Sequence, residues 1–70
     1  MVKFTTTYEE PNTLKRIDKD CVYINPNNVC YIEASGKECT YIYLNRDTIG
    51  IKVAGNIDEV ARKLANDQNS

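Results

Sequence analysis

The 70-residue chain has no histidine and no tryptophan, only three glycines and two prolines, and no long apolar run. Each shortage excludes something. Without histidine, the usual physiological general base and the commonest metal ligand are both missing. The glycines, Gly36, Gly50 and Gly55, stand alone, so no loop can cradle phosphate, and no Gly-x-Ser-x-Gly elbow occurs. Cys21, Cys30 and Cys39 are odd in number and form no Cys-x-x-Cys pair, so neither a zinc site nor a closed disulfide framework is expected. They read as reduced thiols acting as small hydrophobes. Nine basic against ten acidic residues leave a net charge of −1, with no basic stripe for a polyanion. Without an apolar stretch long enough for a membrane span, and with an amino terminus that reads as a strand rather than a leader, a cytoplasmic location is expected. The acidic pairs Glu9-Glu10 and Asp58-Glu59 fit a polar loop and a helix cap better than catalysis. The chain is therefore expected to be no enzyme and to carry no cofactor or metal.

What remains is the composition of a globular domain, 41% hydrophobic and 27% charged. A chain this short buries only about 60% of its unfolded surface, so a single domain over 1–70 is the limit and a shared core would help it. Residues 2–8 alternate Val2, Phe4, Thr6 and Tyr8 against Lys3, Thr5 and Thr7, as a strand does. Residues 9–20 contain Pro11 and many charges and read as a loop, with a turn of helix around Thr13–Ile17. Segments 21–24, 29–35, 39–45 and 48–54 read as further strands. They are separated by "NPNN", by "SGKE" and by the hairpin "NRDT".

After Gly55 the apolar period changes from 2 to 3.6. Ile57, Val60, Ala61 and Leu64 make one stripe on a helix spanning 56–66, with residues 67–70 as a frayed tail. Asn56 can cap it and Glu59 can close a capping box. The fold class predicted is α+β: a small antiparallel sheet of three to five strands with one carboxy-terminal amphipathic helix on one face.

The strands carry two sets of large residues. Val22, Ile24, Cys30, Ile32, Ala34, Ile42, Leu44, Ile49, Ile51 and Val53 are aliphatic or small and suit the helix stripe. The opposite set contains Cys21, Tyr23, Val29, Tyr31, Glu33, Cys39, Tyr41, Tyr43, Thr48, Gly50 and Lys52. A tyrosine-rich uncovered face marks a contact surface, since the ring is broad and has one polar handle. The candidate interaction face is Tyr23, Tyr31, Cys39, Tyr41, Tyr43 and Lys52. Lys37 and Arg46 are candidate contacts for an anion.

Part of the chain resembles a known family. Asn25 and Val29, Ile32-Glu33, Thr40, Ile42 and Leu44, Ile51 and Val53, and Asp58-Glu59-Val60 occur in the order found in small bacterial and phage proteins of the flagellar FlbD-like type. The same rhythm is similar, at greater distance, to the β core of LytTR-type DNA-binding domains. The resemblance spans residues 24–64 and rests on core and cap positions. The family's usual Asp-Gly or Thr-Gly hairpin is "NRDT" here, and residues 1–20, a strand and a charged loop, lie outside the pattern. It implies a non-enzymatic role in regulation. DNA binding is not implied, because no basic reading loop matches.

The expected function is thus a small bacterial or phage regulatory protein that binds an unidentified protein and associates with itself through the Tyr/Cys face. If phage-encoded, it would act in the host cytoplasm. The alternatives are a module that binds or sequesters a nucleotide-like small ligand and, less expected, a nucleic-acid-binding regulator.

Overall fold

The computed structural model describes residues 1–45 and 49–68. Five strands form one antiparallel sheet: β1 (Val2–Glu9), β2 (Arg16–Ile24), β3 (Val29–Ser35), β4 (Cys39–Leu44) and β5 (Ile51–Ala54). The order across the sheet is β2-β1-β5-β4-β3. A single turn of 3-10 helix (Pro26–Asn28) joins β2 to β3, and α1 (Ile57–Gln68) closes the chain. The α+β class predicted from periodicity is the class observed.

The amino-terminal residues differ from the sequence reading. Residues 9–20 are not mainly loop, because β2 starts at Arg16 and pairs with β1 along most of its length. Only Glu10–Lys15 turn the chain, with Glu10 N–H bonded to the Lys15 carbonyl and Leu14 N–H to the Glu10 carbonyl. Leu14 takes φ 58° there, a left-handed conformation unusual for a leucine. Charge masked this strand in the sequence. An edge strand exposes both its ends and much of its outer side, so Arg16, Asp18, Lys19 and Asp20 remain solvated within it.

Two bulges set the faces. Between Thr5 and Thr7, β2 gains one residue on β1. The Thr6 hydroxyl fills the gap, accepting from Asp20 N–H at 3.0 Å and facing the Asp20 carbonyl at 3.2 Å. The second bulge lies between Val29 and Tyr31, where β3 gains Cys30 on β4. Because a one-residue slip exchanges faces, Val29 falls on the helix side opposite Leu44, and Cys30 is exposed. This corrects the alternation expected for β3, which put Cys30 inside and Val29 outside.

The core lies between sheet and helix: Val2, Phe4, Ile24, Ile42, Val53, Val60 and Leu64, flanked by Val22, Val29, Ile32, Leu44 and Ile51. Three other expected core residues are exposed. Ile49 precedes β5 and is 82% exposed, while Ala34 and Ala61 lie beyond the contact between helix and sheet. The helix is about 18 Å long at 1.5 Å per residue, shorter than the eight- and nine-residue strands β1 and β2. Tyr8 and Ile49 are accordingly left exposed on the described surface.

The cap forms as its sequence dictates. Asn56 Oδ1 accepts from Glu59 N–H at 2.8 Å, and its amide donates to Glu59 Oε1 at 3.2 Å. The helix then continues through Gln68, two residues beyond the expected end. Gly55 has φ +116°, a conformation open to glycine, and its carbonyl accepts from the buried Thr40 hydroxyl at 2.9 Å. The helix is thereby anchored to β4. The "NRDT" hairpin beyond Asn45 and the start of the strand expected over 48–54 lie outside the described residues.

Candidate interaction face

The face opposite the helix is built by cross-strand pairing. Antiparallel neighbours directly opposite each other share a face. Tyr31 pairs with Tyr43, Glu33 with Tyr41, and Tyr41 with Lys52. The bulge at Cys30 is what brings Tyr31 into line with Tyr43.

The rings of Tyr31 and Tyr43 stack at 4.4 Å between centroids with 13° between planes. Tyr41 leans on Tyr43 at 6.3 Å and 40°. Lys52 Nζ lies 5.9 Å from the Tyr41 ring centroid and 3.7 Å from Glu9 Oε1. On its other side, the Tyr43 ring lies over Gly50, where an added Cβ would be 2.8 Å from Cζ. A row thus runs across three strands, from the Gly50 backbone to Tyr43 to Tyr31 at the sheet edge. An isolated glycine near a strand is a sequence-level sign of such close approach.

This arrangement has chemical consequences. The facing surfaces of Tyr31 and Tyr43 are occupied by each other. A planar ligand between two rings would need about 7 Å, twice a van der Waals contact, and the Tyr41–Tyr43 separation is smaller and tilted. The open aromatic surface is therefore the outward side of Tyr31, which is 53% exposed. Burial, then the neighbouring Glu33 carboxylate and then Tyr31 and Tyr41 push the Tyr43 hydroxyl above the ordinary tyrosine pKa.

The six residues expected to share this site are only partly brought together. Tyr31, Tyr41, Tyr43 and Lys52 are neighbours. Tyr23 sits on edge strand β2, with β1 and β5 between it and β4. Cys39 points to this side but is only 6% exposed, its thiol 3.7 Å from the Thr7 hydroxyl. The β1–β5 pairing that places Thr7 there is long-range and leaves no mark in the sequence.

Lys37 lies in a separate cleft of about 360 Å³ with Glu9, Arg16, Glu38, Cys39 and Lys52. Its cations are partly neutralised, since Arg16 is 3.3 Å from Asp18 and 3.9 Å from Glu38. Arg46 lies outside the described residues. Among those described, no group of three or more metal-ligating side chains converges, and no helix is long and apolar enough to cross a membrane. No family model matches the chain, and neither a curated protein nor a solved structure matches it.

Proposed function

We propose that the chain is a non-enzymatic interaction protein that associates with a second copy of itself through the tyrosine side of its sheet. The observation that carries this is the row Gly50–Tyr43–Tyr31, with Tyr41 and Lys52 beside it, ordered by its own packing and open at the sheet edge. Rigid aromatics lose little conformational entropy on binding and favour interface centres. The small size of the chain adds weight, because a second copy enlarges a limited core.

In its finer form, the proposal is a bacterial or phage regulatory protein acting in the cytoplasm, which as a phage product would bind and block a host protein. The resemblance to FlbD-like proteins supports the regulatory part.

The test is light scattering at high micromolar concentration on the native chain and on Tyr41→Asp and Tyr43→Asp. An oligomer that the substitutions dissociate, with the helix signal kept, is expected. A native monomer, or variants of unchanged mass, refutes the proposal. The cleft holding Arg16, Lys37 and Lys52 favours a second reading, a small anionic ligand such as a nucleotide. A thermal-shift series with nucleotides tests it, and no stabilisation at millimolar ligand removes it.

A further inference from the structure

The two edges of the sheet differ in kind. The β2 edge carries Arg16, Asp18, Lys19 and Asp20, charges of the kind that keep an edge from pairing with another strand, while each edge strand has one bulge, opposite Thr6 in β2 and at Cys30 in β3. The β3 edge carries one charge, Glu33, and no lysine or proline within "VCYIEAS". No strand lies on its outer side among the described residues. Its outward peptide groups face water and present the pattern that an extended chain can pair with.

We propose that this chain is the second copy's β3. The two strands would run antiparallel with Ile32 at the two-fold axis, making one sheet across both molecules. This rests on the self-association read above and specifies its mode.

The sequence of β3 carries the argument. On its inner side, β4 sets Tyr41 against Glu33, Ile42 against Ile32 and Tyr43 against Tyr31. Strands β3 and β4 share the dipeptide Tyr-Ile, as Tyr31-Ile32 and Tyr41-Ile42. A second β3 centred on Ile32 therefore repeats β4 at two of these three positions on the outer side. It sets its Tyr31 against Glu33, its Ile32 against Ile32, and its Glu33 against Tyr31. Each Glu33 gains a neighbouring phenol able to donate a hydrogen bond. Centring on Glu33 would instead oppose two carboxylates, which cross-strand pairs disfavour. The guarded β2 edge prevents head-to-tail pairing, so the assembly closes as a dimer rather than growing as a filament. The outward side of Tyr31 is covered, and the two aromatic rows meet.

Ala34 offers a direct test, because it is exposed on β3 and is not a member of the core. Ala34→Lys adds the charge that guards natural edges. The native chain is expected at twice its 8.0 kDa mass. Ala34→Lys should show a twofold loss of mass with the helix signal kept and a lower, concentration-independent melting temperature, whereas Tyr23→Lys on the β2 edge should remain dimeric. A monomeric native chain or a dimeric Ala34→Lys would overturn the pairing. A dimer lost in Tyr43→Asp but kept in Ala34→Lys refutes edge pairing and leaves the tyrosine face in place. The reverse pattern keeps the edge pairing and removes the tyrosine face from self-association.

Discussion

Replacing Gly50 by alanine is expected to lower stability by about 1–2 kcal/mol, although alanine is ordinarily the better residue in extended chain by roughly 0.5–1 kcal/mol. The reversal comes from space. A Cβ at Gly50 would lie 2.8 Å from Tyr43 Cζ, 3.0 Å from Cε1 and 3.2 Å from Tyr41 Cβ. A tyrosine ring can usually swing aside, but the Tyr43 ring is held from behind by Tyr31 at 4.4 Å. Moving it opens that stack, and leaving it compresses the contact. Overpacking of this kind costs about 1–3 kcal/mol, which exceeds the backbone gain. In a domain of this size 1 kcal/mol moves the midpoint by about 4–8 °C, so a loss of roughly 5–15 °C is expected in a melt followed by circular dichroism. The companion is Tyr43→Val, which removes the ring. In the double variant the alanine penalty should vanish and the backbone gain reappear, giving a positive coupling in the double-mutant cycle. An alanine variant as stable as the native chain, or penalties that simply add, would refute the sandwich.

Three further outcomes follow from other parts of the fold. Ile42 is fully buried at the centre of the core, so Ile42→Val should cost about 0.5–1.5 kcal/mol in urea unfolding, with the slope unchanged. Asn56→Ala removes the cap that accepts from Glu59 N–H and should cost about 0.5–2 kcal/mol, while Asn56→Ser, which keeps an acceptor and sets no charge beside Glu59, should recover most of that loss. The raised Tyr43 pKa means that its contribution to stability is present below the ordinary tyrosine pKa and is lost as pH rises through the higher folded value. In an alkaline titration followed by tyrosinate absorbance, Tyr43 should ionise above the ordinary tyrosine range. That late step should disappear in Tyr43→Phe and move earlier in Glu33→Gln, whose neighbouring charge is removed.

Local pattern decided the elements and tertiary pairing decided the faces. The helix, its Asn56–Glu59 cap and the buried pair Val60 and Leu64 are short-range features, because a 3.6-residue stripe needs no knowledge of the rest of the chain. Period-2 alternation likewise marked β1, β4 and the exposed Tyr31 of β3. Strand β2 was hidden because an edge strand tolerates the charges that otherwise denote a loop. The register of β3 was hidden because one extra residue, Cys30, exchanges inside for outside, and only the partner strand shows where that residue is inserted. Residue type alone determined that the chain has tyrosines to spare on a sheet and no histidine to do chemistry with. Only the three-dimensional pairing decided that Tyr31, Tyr41 and Tyr43 stand together while Tyr23 stands apart, that Cys39 is sealed beneath Thr7, and that β3 is left at an edge of the sheet. Strand order depends on contacts between residues far apart in the chain, and alternation within a strand carries no information about which strand lies beside it.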